Sequence, residues 1–392
     1  MAEHGSMVLR VASSMADVER DAWDQCANPD PGRFDPFVSY DFLTALETAG
    51  ATGEEAGWIP HHLLMGRPGE GIRAVLPLYI KTNSQGEFVF DQGWADALHR
   101  IGGRYYPKLQ AAVPFTPVPG RRLLVRPGPG ADEVERSLAE GALELCRRLG
   151  GSSLHITFCS EGEWRRLAEA GLLQRMGVQY HWPNAGYGCF EDFLATLSSR
   201  KRKMIRRERE AALAGGFEIE LVAGRAITEA HWDAFFGFYM DTGRRKWGRP
   251  YLNRRFFSLI GAAMPERCLL VLAKRNDRAI AGAFNMRGGD CLYGRYWGAI
   301  EEVPFLHFEV CYYQAIDYAI AHGLARVEAG AQGEHKLMRG YAPVPTYSLH
   351  WLADRRLHRA VGEYLERERS EMTEACRALT GQGPYRRDAS GG

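Results

Sequence analysis

Cys268-Leu-Leu-Val-Leu-Ala-Lys274 and Ala279-Ile-Ala-Gly-Ala-Phe-Asn-Met-Arg287 are two apolar runs on either side of an Asn276-Asp277 turn. Short apolar runs around such a turn are typical of paired, buried β-strands. Asp290–Trp297 follows at once and has the composition of a third strand. The region therefore begins with three consecutive strands.

A helix and a fourth strand follow. The apolar residues of His307–His322 recur at helical spacing and form one continuous stripe, and Gly323 is a typical helix terminator. Ala325–Ala329 then predicts a short buried strand. This order indicates an α/β domain whose mixed, mostly antiparallel sheet is flanked by helices.

The first half of the chain contains a similar order of elements, such as an amphipathic helix at Asp132–Leu149 before an apolar strand at Ser153–Phe158. A length of 392 residues suits two domains. The predicted divisions are a flexible N-terminus at 1–7, a first domain at 8–185 with a long, ordered, aromatic loop at 93–130, a second domain at 186–370, and a helix end with a disordered tail at 371–392.

Composition excludes several classes of protein. The net charge is +1, so no global field draws the chain to DNA or to a membrane, and any basic site must be local. No apolar run approaches the ~18 residues of a membrane span. The eight cysteines form no C-x-x-C pair and no zinc-ligand pattern. We expect a cytoplasmic protein, monomeric or homodimeric, with reduced thiols and no metal.

Three groups of motifs carry a family resemblance. They are Phe37-Val-Ser-Tyr-Asp-Phe-Leu43; Tyr105-Tyr-Pro-Lys-Leu109 with Pro114-Phe-Thr-Pro-Val118; and Gly330-Ala-Gln-Gly-Glu-His-Lys336 with Arg339-Gly-Tyr341 and Tyr347-Ser-Leu-His-Trp351. Together they resemble the bacterial predicted N-acyltransferases of the Fem-type (FemAB-like peptidyltransferase) branch of the GNAT superfamily, over about residues 8–365. The resemblance implies two tandem GNAT-like domains with the main site on the second. It also implies an amine acceptor and a co-substrate, acyl-CoA or aminoacyl-tRNA, rather than a permanent cofactor.

The segment Gly298–His307 departs from the usual GNAT pattern. GNAT enzymes carry a pyrophosphate-binding loop, R/Q-x-x-G-x-G/A, between the last core strand and the next helix. Here that place lacks a glycine cluster and any Lys or Arg, and Glu301 and Glu302 repel phosphate. The departure weakens the acyl-CoA interpretation, as it does in Fem-type enzymes.

The run Val327-Glu-Ala-Gly-Ala-Gln-Gly-Glu-His-Lys336 is the main candidate for chemistry. Aminolysis of an ester or thioester needs a deprotonated amine and a stabilised oxyanion. In Fem-type enzymes a lysine follows this strand near the acyl-transfer centre, and Lys336 matches it by position, which suggests an oxyanion or phosphate contact. A turn with solvated charges is the alternative. The predicted catalytic residues are Lys336, His335, Glu334, Glu328 and Glu309.

A second set of residues is predicted to bind substrate. On a regular strand Tyr293, Arg295 and Trp297 share one face, which suits an anionic or planar ligand, although a structural arginine is the alternative. Glu309 is expected to point away from the apolar stripe of its helix. Core packing is the favoured alternative for Tyr105–Gln110. The complete predicted set is Tyr293, Arg295, Trp297, His307, Gln332, Arg339, Tyr341, Arg245, Lys246, Tyr106 and Lys108.

The predicted helix Ser199–Ala214 is strongly basic, since seven of the ten residues from Arg200 to Arg209 are Lys or Arg. Like charges at helical spacing repel, so a polyanion partner is plausible: tRNA, the phosphates of CoA or a phospholipid surface. Pairing with acids is the alternative. Lys201, Arg202 and Arg206 are the predicted contacts to donor phosphate.

These observations favour an N-acyltransferase that moves an acyl or aminoacyl group directly to an amine in a ternary complex. No Cys or Ser lies in a recognisable activated arrangement, so no covalent intermediate is expected. The alternative is a non-catalytic GNAT-fold protein that binds a peptide, peptidoglycan-like or RNA ligand.

Overall fold

A computed structural model describes residues 7–246, 250–330 and 333–386, without the side chains of Lys246 and Glu334. The chain divides into two compact units. The first unit comprises the described residues up to Gly177 together with Pro345–Glu374. The second unit comprises Val178–Val344 together with the described residues from Ala375 onward.

The strands of the described residues are β1 Val8–Ala12, β2 Trp58–Pro60, β3 His62–Arg67, β4 Gly71–Leu76, β5 Leu78–Lys81, β6 Lys108–Ala111, β7 Leu124–Val125, β8 Ser153–Cys159, β9 Leu173–Pro183, β10 Glu218–Ala223, β11 Cys268–Arg275, β12 Arg278–Arg287, β13 Cys291–Ala299, β14 Arg326–Glu328 and β15 Ala342–Leu352.

The α-helices are α1 Arg20–Ala27, α2 Tyr40–Thr48, α3 Gln92–Arg100, α4 Ala131–Arg148, α5 Glu161–Ala168, α6 Phe190–Thr196, α7 Ser199–Leu213, α8 Glu229–Lys246, α9 Arg254–Ala263, α10 Leu306–Phe308, α11 Gln314–Ala321 and α12 Arg355–Gly381. A π-helical turn, Glu309–Tyr313, joins α10 to α11, and Glu334–Arg339 form a 3₁₀ helix.

The first unit contains two sheets. In one, β1, β3, β4 and β7 pair in that order and are antiparallel throughout. In the other, β2, β5, β6 and β8 are followed by residues 347–352 of β15, and β6 and β8 are parallel. Leu138, Ala142 and Cys146 form the buried face of α4 and pack into the same apolar core as Leu63 and Leu154. The helical periodicity of α4 thus places its apolar stripe against a sheet.

The sheet of the second unit has the order β10-β11-β12-β13-β14-β9. Every neighbouring pair is antiparallel except β13 and β14, which are parallel. Val310 and Ile316, on the helix that connects these two parallel strands, share a core with Leu269 and Val271 of β11. Trp232 of α8 and Phe257 of α9 pack around Phe284 of β12.

The two parallel strands part soon after they begin. Cys291–Tyr293 of β13 pair with Arg326–Glu328 of β14, where β14 ends, whereas β13 continues to Ala299. A gap therefore opens beside Gly294, at the end of the strand that leads to Lys336.

The predicted fold class is confirmed: mixed, mostly antiparallel sheets flanked by helices in two units. Residues 93–130 are not a loop throughout, because they include most of α3, and β6 and β7. Trp94 and Leu98 bury one face of α3, and β6 pairs with both β5 and β8, so tertiary partners order a segment of weak periodicity.

The division between units also differs from the predicted linear one at residue 185. Residues 345–370, expected in the second domain, lie in the first unit, because Tyr347–Leu352 pair with β8. The C-terminal helix α12 extends to Gly381. The predicted flexible N-terminus, apart from Met7, and the predicted tail from residue 387 lie outside the described residues.

Candidate functional site

A β-bulge in β13 sets the direction of the predicted binding residues. Met286 pairs with Tyr293 and Phe284 pairs with Tyr296, which leaves Arg295 as the extra residue. A bulge interrupts the alternation of side chains. Tyr293 and Tyr296 therefore lie on one face and Trp297 on the other, in contrast to the single face predicted for Tyr293, Arg295 and Trp297. The guanidinium of Arg295 lies 5.3 Å from the ring centre of Tyr296.

Trp297 and His307 form the aromatic wall of a pocket in the second unit, and their ring centres are 5.2 Å apart. The pocket has a volume of about 520 Å³ and lies where α8, the end of β13, the loop after it and the start of α10 meet. Arg245 also lines it and donates to the carbonyl of Ala299. Three of the predicted binding residues thus come together here.

The two acids of the loop after β13 each pair with an arginine. Glu301 binds Arg275 at 2.5 Å, and Glu302 lies 3.5 Å from Arg245. Arg245 also binds Asp241 at 2.6 Å. These ion pairs make the loop less negative than its sequence indicates. A phosphate-binding loop needs backbone N–H groups and positive charge, whereas this loop carries carboxylates.

The 3₁₀ helix Glu334–Arg339 carries the predicted catalytic lysine. Lys336 is 2% exposed, and its Nζ donates to the carbonyl of Gly330 at 2.9 Å. Burial lowers the pKa of Lys336 to about 8, while Cys311 opposes this shift. His335 is exposed, and its Nε2 lies 2.9 Å from Tyr312 Oη on the π-helical turn. The turn thus presents a buried cation beside an exposed imidazole.

Arg339 holds this turn in place through its hydrogen bonds. It forms two hydrogen bonds with Glu208 of α7 and donates to the carbonyl of His335 at 2.7 Å. Its guanidinium also lies 3.5 Å from the ring centre of Phe308. Arg339, predicted to contact substrate, thus has its guanidinium engaged in holding the turn. Tyr341, also predicted to bind substrate, is completely buried and packs edge-on against Tyr312.

Glu309, predicted to point away from the apolar stripe of its helix, is not exposed to solvent. It is completely buried in an ion pair with Arg209 of α7, with N–O distances of 2.8 and 3.1 Å. Gln314 also donates to its carboxylate at 2.7 Å. Both carboxylate oxygens are occupied, and the ion pair links this helix to α7.

Glu328 lies in a row of three polar residues on neighbouring strands, and two of the three are predicted site residues. Tyr293, Glu328 and His181 are directly paired neighbours on β13, β14 and β9. Arg326 donates to Glu328 Oε1 at 3.0 Å, and Oε2 lies 3.7 Å from His181 Nε2. Burial lowers the pKa of His181, whereas Glu328 acts in the opposite direction. His181 is not among the predicted site residues. It lies in the strand Leu173–Pro183, whose alternation of polar and apolar residues could have indicated it.

The basic helix α7 packs against α10 and the 3₁₀ helix that carries Lys336. Near its start, Lys201 Nζ contacts Met338 Sδ at 2.8 Å. Arg206 pairs with Glu191 at 2.5 Å, and Arg209 with Glu309. The second half of α7 is therefore partly neutralised, and the partly exposed Lys201 and Arg202 lie at the end near Met338.

Tyr106 and Lys108, also predicted to bind substrate, lie in the first unit. Lys108 is completely buried and donates to Glu87 at 2.8 Å and to Asp91. Tyr106 Oη bonds to Ser84 at 2.7 Å. Both side chains are thus engaged in contacts within the first unit. Gln332 and the side chains of Lys246 and Glu334 lie outside the described part of the chain.

Two absences concern the described residues alone. Within them, no helix has both the length and the apolar composition to cross a membrane. No cluster of three or more His, Cys, Asp or Glu side chains in this part of the chain is suited to a metal ion.

Mixed sheets in two units, with two parallel strands that separate in the second, define a protein of GNAT-like fold. The sequence matches the FemAB-like family, described as peptidoglycan biosynthesis/recognition, over residues 14–387, and the chain belongs to that family. No curated protein matches it significantly.

Solved structures show the same fold. FemX is 14% identical with a TM-score of 0.55, and the match covers 88% of this chain and 98% of FemX. L-PGS from Bacillus licheniformis is 10% identical with a TM-score of 0.50, over 89% of this chain and 98% of that structure.

Proposed function

We propose that this chain transfers an acyl or aminoacyl group from an activated donor to an amine, by direct attack in a ternary complex. Membership of the FemAB-like family supports a role in peptidoglycan biosynthesis or recognition. The observation that carries the catalytic interpretation is the environment of Lys336.

Lys336 differs from the other buried lysines of the chain. Lys81 and Lys108 are completely buried too, but each lies within 4 Å of the carboxylate of Glu87. No carboxylate among the described side chains pairs with Lys336, which bonds instead to a backbone carbonyl. A buried charge without a counter-ion costs stability, and such groups cluster at functional sites.

The charge of Lys336 suits the stabilisation of an oxyanion. With a pKa of about 8, the ammonium group stays mainly protonated at neutral pH and can donate to the oxygen of a tetrahedral intermediate. His335, bonded to Tyr312, is the nearby group suited to orient the amine or accept its proton. Glu328 with His181 is the second such group.

We favour aminoacyl-tRNA as the donor and retain acyl-CoA as the alternative. The exposed positive charge at the start of α7 lies beside the turn that carries Lys336, which suits a nucleic-acid backbone. The acids after β13 disfavour a pyrophosphate. The aromatic wall of Trp297 and His307 can stack on the adenine ring that both donors share.

The test offers the purified protein a panel of aminoacyl-tRNAs and acyl-CoAs with amine acceptors that include peptidoglycan precursors. New amide products are measured by mass spectrometry. Ribonuclease treatment separates the donors, because transfer from tRNA must stop when the tRNA is degraded. We expect Lys336→Ala and His335→Ala to reduce transfer strongly. Lys274→Ala is the matched control, since Lys274 pairs with Glu220 on β10, away from Lys336.

Two results would contradict the proposal. Transfer at the wild-type rate by both Lys336→Ala and His335→Ala would remove the site assignment. Tight binding of a peptide or RNA without turnover of any donor would favour the non-catalytic alternative.

A further inference from the structure

Asn285 is a buried polar residue in the otherwise apolar strand β12. It is 1% exposed, and its Nδ2 makes only a long contact, 3.5 Å, with the carbonyl of Ala283. Its Oδ1 has no hydrogen-bond partner among the described residues. Such a group costs stability, so an unpartnered amide oxygen in a strand interior needs an explanation.

The partner of Asn285 across the sheet is Gly294, which is partly exposed in the middle of β13. A methyl group built on Gly294 would lie 3.5 Å from Asn285 Oδ1 and 3.6 Å from the backbone oxygen of Glu328. These are ordinary van der Waals distances, so the position holds a space the size of a small group. Two acceptor oxygens therefore border this space, where β13 and β14 separate.

Lys336 lies on the continuation of the same chain. Two residues after Glu328, the carbonyl of Gly330 accepts the hydrogen bond from Lys336 Nζ. The segment that supplies an acceptor oxygen at Glu328 thus also binds a cation two residues later. This is the polarity that aminolysis requires, because the attacking nitrogen donates N–H bonds while the carbonyl oxygen gains negative charge.

We propose that Asn285 Oδ1 and the backbone carbonyl of Glu328, across the space beside Gly294, bind the attacking amine of the acceptor. The inference rests on the proposed function and names the acceptor subsite within it. A primary amine has two N–H bonds for the two oxygens, and its lone pair remains directed away from them.

The resulting step is an aminolysis of the donor ester or thioester. The nitrogen lone pair forms a C–N bond with the carbonyl carbon of the donor, and the carbonyl electron pair moves to the oxygen, which Lys336 stabilises. Collapse of the intermediate breaks the bond to the leaving oxygen of an ester or sulfur of a thioester. The proton lost by nitrogen ends on that leaving group, so amine and donor give an amide and a free hydroxyl or thiol.

The test separates attack by an amine from turnover of the donor. Hydroxylamine serves as the probe because it is a small amine nucleophile, and its hydroxamate product is measured beside hydrolysis of the donor that the wild type uses. The variants are Asn285→Leu, which keeps the size but removes the acceptor, and Gly294→Ala, which fills the space. Glu220→Gln on β10 is the control.

We expect both variants to lower the ratio of hydroxamate to hydrolysis by about tenfold, the effect of losing one hydrogen bond to a reacting group, with donor hydrolysis retained. Asn285→Leu should also unfold at the same or a higher denaturant concentration than the wild type, because it removes an unsatisfied buried group. A purely structural role for Asn285 predicts the reverse, a less stable protein with an unchanged ratio.

An unchanged ratio in either variant overturns the inference, as does a wild type that hydrolyses the donor yet forms no hydroxamate. A wild type that turns over no donor at all contradicts the proposed function itself, so the two failures are distinguishable.

Discussion

Arg339 and Glu208 form a bidentate ion pair, with N–O distances of 2.7 and 3.0 Å, between two side chains that are each less than a tenth exposed. The pair joins α7 to the turn that carries Lys336. Tyr313 also donates to Glu208. The basic helix and the predicted catalytic turn are therefore a single structural arrangement, and damage to one must affect the other.

Loss of Arg339 should destabilise the protein strongly. Arg339→Met leaves the carboxylate of Glu208 buried without its partner, which costs about 3–5 kcal/mol. Urea denaturation measures the loss. The double variant Arg339→Met with Glu208→Gln should recover part of it, because no uncompensated charge remains. Equal losses in the single and double variants would show that the pair is not coupled.

Lys336 should reduce stability at neutral pH. Its folded-state pKa of about 8 lies below the ordinary 10.5, so the unfolded chain binds the proton more tightly. The penalty is complete below pH 8 and disappears as the pH rises toward 10.5. Lys336→Met should therefore stabilise the protein at pH 7 by about 1–3 kcal/mol, with little effect near pH 10.5.

The same group should set the pH dependence of turnover. If Lys336 acts as a cation, wild-type transfer falls as the pH rises through about 8, because the ammonium group loses its proton. Lys336→Arg, which stays charged, should retain part of its activity at higher pH. A wild-type rate that increases smoothly from pH 7 to 9.5 would exclude the cationic role.

The pKa of His181 should depend on the carboxylate of Glu328. Burial holds the pKa of His181 below its usual 6.5, and the carboxylate of Glu328 partly counteracts this effect. Glu328→Gln should lower the pKa of His181 further, as measured by NMR of the imidazole resonances. Because the folded pKa is depressed, His181 stabilises the folded state least at low pH, and the loss should begin as the pH falls through 6.5. An unchanged His181 titration in Glu328→Gln would refute the coupling.

The exposed start of α7 should govern binding of a nucleic-acid donor. Lys201→Glu with Arg202→Glu should weaken tRNA binding, and the logarithmic dependence of affinity on salt should become shallower by roughly one unit for each phosphate that the protein no longer neutralises. The control is Glu210→Gln, an exposed change on the same helix. A salt dependence equal to that of the wild type would place the tRNA elsewhere.

The local sequence pattern is sufficient to predict much of the secondary structure of the second unit. The apolar runs at Cys268–Lys274 and Ala279–Arg287 correspond to β11 and β12, because a strand that is buried on both faces consists mainly of apolar residues. The bulge at Arg295 could not be predicted, since it depends on register against β12. Likewise, the burial of Glu309 depends on Arg209, which is 100 positions away. Ion pairs and registers of this kind are tertiary properties without a periodic signal.

Asn285 shows a further limit. An asparagine in an apolar strand is an evident anomaly in the sequence, but its meaning depends on the glycine opposite and on the point where β14 ends. The lysine at 336 is identifiable by position, whereas the absence of a carboxylate beside it among the described side chains depends on tertiary structure.

The pairing of β15 with β8 has a consequence for synthesis. The first unit needs Tyr347–Leu352 as a strand neighbour of β8 and cannot be completed until the ribosome has passed these residues. The N-terminal part must therefore wait with an unprotected strand edge while most of the later unit emerges. A gene fragment that stops near residue 185 should yield aggregates, whereas co-expression with a segment carrying residues 345–374 should rescue solubility. The segment that is made first therefore cannot finish folding on its own in this polypeptide.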